Sequence, residues 1–232
     1  MVVLTANERH ALERLETRER HVRRGATLQR DKDRAAEMFI LRKGMMMSSV
    51  LLDDGSRQIL RFHFAGDMLA VSSLAYRAAS ETISALSDCV VCPFERPAFA
   101  AVITDHPRLA ALIMVCDQIE RAALTDRLAV LGRTSAKARV AAILIDLRNR
   151  MRMLDRGITM SFTLGLTQEE LGDATGLTAV HVNRMLRQLE DERMIARDAG
   201  RVTFTDERAL ERAANFVDRY AGLDLGWLPA GR

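Results

Sequence analysis

Apolar residues change their spacing once along the chain, near residue 105. Before that point, short apolar runs are separated by glycine turns; after it, apolar residues recur every three to four positions. The opening segment, residues 5–16, predicts a helix. Thr5 and Glu8 have capping-box spacing, and Ala11, Leu12 and Leu15 form one face. Strand-like runs follow over 21–24, 26–30, 38–41, 45–52, 57–63, 81–86 and 89–94. They are punctuated by turns at Lys43-Gly44, Asp54-Gly55 and Gly66-Asp67. About seven short strands in about 75 residues are enough to close one compact sandwich or small barrel.

From His106 the pattern is helical. Pro107 suits a helix start, and the run to Arg133 has no further proline and meets glycine only at Gly132. Leu109, Leu112, Cys116, Ile119, Ala123 and Val130 share one stripe. A helix of about 25 residues spans nearly 40 Å. That exceeds what one small domain covers and points to a partner helix along these six residues, a dimer seam; the alternative is a core helix packed on its own chain. Residues 135–154 predict a further helix with Val140, Ile143, Leu144 and Leu147 inward. It lies in a basic stretch, 133–156, whose acidic residues are Asp146 and Asp155. Such a stretch is either a solvated face or part of a nucleic-acid interface.

Residues 166–190 carry the most specific pattern. Thr167 and Glu170 form a capping box that opens a short helix, Leu171 and Ala174 point inward, and Gly172 permits close helix approach. Gly176 supplies the left-handed residue that ends this helix, and Thr178 caps a second one, whose buried stripe is Val182, Leu186 and Leu189. Two short helices joined by a glycine turn are the helix-turn-helix pattern, whose second helix enters the DNA major groove. Its exposed face predicts base contacts from Ala179, Val180, Asn183 and Arg184, with Arg184 suited to guanine. Phosphate contacts are expected from Thr167, Gln168, Thr178, His181 and Arg187. Residues 194–205 then predict a two-stranded wing with Arg201 at its tip, another phosphate contact. A last helix is expected over 206–220, burying Leu210, Ala213, Phe216 and Val217.

Composition narrows the class. The chain has 232 residues, 48% hydrophobic and 28% charged, as in soluble globular proteins of one large or two small domains. No apolar run reaches the roughly 18 residues of a membrane span, and residues 1–24 lack the apolar core of a secretory signal. Three cysteines exclude a closed disulfide framework and suggest reducing cytoplasm. Net charge is only +3, but apart from Lys32, Lys43 and Lys137 every basic residue is arginine, which suits phosphate and guanine. Aromatics at 5% argue against single-strand stacking.

Enzyme chemistry finds little support. The five histidines are scattered, so a cupin-like metal enzyme lacks its ligand cluster, and no metal residues are assigned. No nucleophile elbow or phosphate loop occurs, and no catalytic residues are assigned. Cys89 and Cys92 are expected on opposite faces of a strand as small buried hydrophobes rather than as a zinc or redox pair. His63 reads as structural, and Met45-Met46-Met47 as strand core and surface.

Together these segments resemble the Crp/Fnr family of bacterial transcription regulators, most strongly over 164–195. The resemblance implies an α+β chain. It would comprise an N-terminal double-stranded β-helix, or β-roll, sensor domain of the cyclic-nucleotide-binding type (1–105), a long dimerisation helix (106–134), a C-terminal winged helix-turn-helix (135–221) and a tail (222–232). It implies a cytoplasmic homodimer that binds an inverted repeat in double-stranded DNA, contacts RNA polymerase and needs no membrane. Arg184 matches the family arginine that reads guanine; Val180 stands where members often carry glutamate, so the operator departs from the best-known family sites. In cAMP-binding members a Gly-Glu pair opens the phosphate cassette and an Arg-Ser pair closes it. Here the effector pocket would comprise Gly66, Asp67, Arg77, Leu124 and Thr125, but Ala78 follows Arg77. The resemblance therefore favours no cofactor, with cAMP or another small effector as the open question. A regulator that binds DNA constitutively is the alternative. An iron–sulfur centre is not expected, since no cysteine precedes Cys89.

Overall fold

The computed structural model describes residues 3–219 and 222–229. The chain divides into two compact units. One comprises the described residues up to Met46, then Ala65–Thr125, and those from Asp218 onward; the other comprises Met47–Phe64 and Asp126–Val217.

The first unit opens with α1 (Ala6–Leu15), capped by Thr5 and Glu8 in a full capping box. Four strands, β1 (Arg20–Val22), β8 (Cys89–Phe94), β3 (Met38–Lys43) and β6 (Met68–Leu69), form one antiparallel sheet in that order. A second ladder pairs β2 (Thr27–Gln29) with β7 (Thr82–Ala85). Strand β3 shows how alternation builds two cores. Phe39 and Leu41 join Val22, Leu69, Ile83, Ala85, Cys89 and Val91 in the inner core. Met38 and Ile40 face the opposite side and join Cys92, Phe94 and the helical residues Ala11, Leu15, Phe99, Val102 and Leu109. Cys89 and Cys92 thus sit on opposite faces of the sheet, and burial raises both thiol pKa values.

The helix α2 (Arg96–Asp105) is absent from the sequence expectations. Its signal is Pro97 in the first turn with Phe99 and Val102 one turn apart. It meets α3 (Pro107–Arg133) at a 116° bend. No single described helix is long and apolar enough to cross a membrane.

The Glu8 carboxylate, 5% exposed, ties α1 to α3 through Arg108. Burial opposes its ionisation, but the Thr5 N–H and the Arg108 guanidinium outweigh that and hold its pKa below the ordinary value. A depressed carboxylate stabilises fully above the unfolded pKa, about 4.3, and loses that contribution as pH falls through the folded value. Glu8→Gln is therefore expected to flatten, below about pH 4.5, the pH dependence of urea unfolding. An unchanged slope would contradict the assignment.

The second unit contains the hairpin of β4 (Met45–Leu51, from Met47 onward) and β5 (Arg57–Phe64), the end of α3, and α4 (Ala136–Leu154). These are followed by β9 (Ser161–Thr163), α5 (Gln168–Thr175), α6 (Ala179–Asp191), β10 (Ile195–Asp198), β11 (Arg201–Phe204) and α7 (Glu207–Ala214). Helix α4 buries Val140, Ile143, Leu144 and Leu147 as expected, and Ala141 and Ile145 with them. Phe162 and Phe204 pack edge-on, 5.6 Å between centroids. Strand β9 pairs with β11 and makes the wing three-stranded; a three-residue run gives too little alternation to be read from sequence.

Two expectations need correction. The last helix spans only Glu207–Ala214, because Asn215 takes a left-handed cap; Val217 is 55% exposed, and Tyr220 lies outside the described residues. Met45, Met46 and Met47 are all buried, so none is a surface position. His63 is buried, its Nε2 hydrogen-bonded to Ser48 Oγ, and burial followed by the nearby Arg61 and Arg150 holds its pKa well down.

Candidate nucleic-acid interface

Local sequence sets the geometry of α5 and α6. Thr167 Oγ1 accepts from the Glu170 N–H at 3.1 Å, and Glu170 accepts from the Thr167 N–H at 2.7 Å. Gly176, at φ 67°, closes α5, and Thr178 Oγ1 accepts from the His181 N–H at 3.2 Å to open α6. Gly172 lies under the turn. A Cβ there would stand 2.4 Å from the Leu177 carbonyl oxygen.

Helix α6 is sharply two-sided. Val182, Met185, Leu186 and Leu189 are buried. Opposite them Val180 is 81% exposed, Arg184 and Arg187 are exposed, and Ala179, His181 and Asn183 are half-buried. Thr167, Gln168 and Thr178 are exposed at the starts of the two helices, where unpaired backbone N–H groups favour phosphate. Arg184 Nη2 lies 2.9 Å from His181 Nε2, one turn back. Sequence reading missed this contact, although the i,i+3 spacing signals it. A guanidinium can only donate, so Nε2 is the acceptor of this contact, which orients Arg184 along α6.

The C-terminal half of α6 is fastened to its neighbours. Lys137 Nζ bonds both Glu192 oxygens at 2.8 and 2.7 Å, and Gln188 bonds Glu192 at 2.9 Å. Lys137 first, then Gln188, lower the Glu192 pKa. Arg197 of β10 bonds Glu190 at 2.6 Å and lowers its pKa. The wing turn is formed by Ala199 and Gly200, both at positive φ. Arg201 follows the tip, exposed, with Nη1 3.2 Å from Ser161 Oγ.

The basic stretch around α4 is largely engaged within the unit. Lys137 holds Glu192, Arg139 reaches the Thr175 carbonyl, and Arg150 lies over the Phe64 ring. Arg148 is buried, paired with Glu207, bonded to the Thr159 carbonyl and stacked over Phe204.

The residues named for an effector lie in the first unit. The Gly66 N–H donates to Leu41 C=O at 2.7 Å, and Asp67 C=O accepts from Leu41 N–H at 2.9 Å, so this turn is fixed on β3. The Cys116 thiol pKa is raised by desolvation and then by the carboxylates of Glu120 and Asp67, which puts the Asp67 charge beside α3. Arg77 is exposed. Its carbonyl accepts from Ala35, Ala78 bridges Arg34, and Ala79 is buried. Thr125 is exposed, and its hydroxyl donates to the Arg121 carbonyl. Leu124 is 44% exposed.

Along α3, Leu109 is buried in its own unit, Leu112, Ile119 and Val130 are half-buried, and Cys116 and Ala123 are exposed. Met114 and Leu128 on the same helix are 66% and 72% exposed and were not among the residues read from sequence. Among the described residues, no group of three His, Cys, Asp or Glu side chains is placed to hold a metal.

Residues 138–213 match the Crp-like helix-turn-helix domain, and residues 19–106 match the cyclic nucleotide-binding domain. The nitrogen fixation regulation protein FixK of Bradyrhizobium diazoefficiens is 30% identical over 195 residues, 84% of this chain and 81% of that one. The transcriptional activatory protein AadR of Rhodopseudomonas palustris is 31% identical over 186 residues, 79% and 76% of the two chains. Among solved structures, FixK2 from Bradyrhizobium japonicum superposes with a TM-score of 0.77 at 22% identity, covering 87% of this chain and 98% of that one. With its β-rich cyclic-nucleotide-binding domain, long helix and winged helix-turn-helix, the chain belongs to the Crp/Fnr family of DNA-binding transcription regulators, which are not enzymes.

Proposed function

We propose that this regulator works in the cytoplasm as a homodimer, reads an inverted repeat in double-stranded DNA through α6, and acts on RNA polymerase. The carrying observation is the two-sided α6. Its apolar stripe is buried, and its other side offers Val180, Asn183 and Arg184 to base edges, with Arg184 directed by His181. Thr167, Gln168, Thr178, Arg187 and Arg201 surround that face as phosphate contacts. The exposed apolar residues of α3, among them Met114, Cys116, Ala123, Leu124 and Leu128, support a second copy along this helix. Two-fold symmetry then places the half-sites about one helical turn, roughly 34–36 Å, apart.

The cyclic-nucleotide-binding domain implies a cyclic nucleotide, and the cassette residues do not fit one. Arg77 is exposed and fastened to residues 34–35, the following residue is Ala78, and the neighbouring buried position is Ala79. An effector other than cAMP at Gly66, Asp67 and the facing part of α3 is the reading we favour. Constitutive DNA binding is the second reading, and the same outward Arg77 favours it.

Selection from random duplex DNA at about 0.15 M salt, with and without cAMP, tests this. An inverted repeat with guanine in each half is expected, equally enriched in both conditions. A single unrepeated element would contradict the dimer, and strict cAMP dependence would contradict the pocket reading.

A further inference from the structure

A helix leaves its last four carbonyls without intrahelical partners. In α5 these belong to Gly172, Asp173, Ala174 and Thr175. The first is taken by the turn, accepting from the Gly176 and Leu177 N–H groups. The other three are taken by side chains from three different elements. Gln58 Nε2 of β5 donates to Asp173 C=O at 2.7 Å, Arg127 Nη2 of α3 to Ala174 C=O at 2.9 Å, and Arg139 Nη1 of α4 to Thr175 C=O at 3.4 Å. Arg57, beside Gln58, pairs with the Asp173 carboxylate through both Nε (2.7 Å) and Nη2 (2.6 Å). Arg127 Nη2 also donates to Ile59 C=O at 2.9 Å, so one guanidinium joins the hairpin strand to the helix end.

We propose that Arg57 and Gln58 of the β4–β5 hairpin are positioning residues for DNA binding, which hold α5 by its C-terminal end and thereby set the pose of α6. Cations at a helix C-terminus are favourable, and here they also fix direction. The grip is at the end of α5 opposite Thr167 and Gln168, so it leaves the phosphate-facing N-terminus open. Helix α6 follows α5 after three residues, Gly176, Leu177 and Thr178, packed against Gly172, and any rotation of α5 is passed to it. The hairpin pre-organises the reading helix, and the ordering cost that DNA binding would otherwise bear is reduced. This rests on DNA reading by α6.

The test uses the full chain and the duplex that wild-type protein enriches from a random pool. Wild-type chain that enriches no duplex would sink the α6 reading itself rather than the clamp. Arg57→Ala and Asp173→Asn are each expected to weaken binding about fivefold, with sequence preference unchanged and faster amide exchange in the last turn of α5. Gln58→Ala is expected to act in the same direction. The swap Arg57→Asp with Asp173→Arg restores affinity and protection. Wild-type affinity in the single variants, tighter binding in them, or a swap no better than either single change would each overturn the proposal.

Discussion

Replacing Arg148 by alanine is expected to cost the second unit about 3–5 kcal/mol. This arginine is 1% exposed and among the bulkiest fully buried side chains of the described residues. Its Nη1 donates to Thr159 C=O at 3.1 Å, its Nη2 pairs with Glu207 of α7, and its guanidinium lies 4.9 Å from the centre of the Phe204 ring. Alanine leaves a cavity between α4, α7 and the wing, an unpaired carbonyl and an unpaired carboxylate at once. Glu207 is 28% exposed and can regain water, which keeps the loss within that range. The double change Arg148→Met with Glu207→Leu is expected to recover most of it, because an apolar pair needs no desolvation of charge. Urea unfolding followed through amide exchange in α4 and α7 reads both. A loss below about 1 kcal/mol for alanine would mean that the buried arginine is energetically idle.

Gly172→Ala should be the second most damaging single change, against the helix-propensity rule that favours alanine by about 1 kcal/mol. The backbone of Gly172 is ordinary helix, so the difficulty is space rather than conformation. The new Cβ would lie 2.4 Å from the Leu177 carbonyl oxygen and 3.6 Å from the Ala179 nitrogen. Both belong to the backbone that launches α6, so relief requires moving the reading helix. Overpacking of this kind costs about 1–3 kcal/mol, and operator affinity is expected to fall more than roughly tenfold, about 1.4 kcal/mol in binding. Gly176 differs. At φ 67° it has room for a Cβ, so Gly176→Asn is expected to bind DNA nearly as well as wild type. Equal tolerance at both positions, measured by fluorescence anisotropy on one duplex, would contradict the steric argument.

The difference between these residues shows what the sequence discloses. Gly172 and Gly176 stand inside a local code of caps, turns and apolar spacing, where each signal lies within a few residues of the next. The capping boxes at Thr5 and Thr167, the strands other than the short β6 and β9, and the bounds of α3 and α4 are legible for the same reason. Arg148 lies in a run of charge that reads as a solvated face or a nucleic-acid interface, because its partners Thr159, Phe204 and Glu207 are distant in sequence. The grip of Gln58 on Asp173 spans 115 positions and has no local signature. The helix α2 escapes the sequence reading because no side-chain cap marks its start, unlike α1 and α5, and the last helix reads too long because Asn215 is a weaker stop signal than glycine. Of the candidate site, the exposed face of α6 was readable from period 3.6 alone. The pairing of His181 with Arg184 depends on side-chain direction, which spacing permits but does not fix.

The central claim is that Arg184 reads a base. Binding constants for the selected duplex, and for variants changed one base pair at a time, should be compared between wild type and Arg184→Ala at fixed salt. The account predicts that alanine weakens binding to the selected site and removes about 1–3 kcal/mol of discrimination at the guanine position only. Arg187→Ala, which removes a proposed phosphate contact, should lower affinity across all sequences without changing their ranking. An Arg184→Ala protein that keeps the full wild-type preference for guanine would contradict the account.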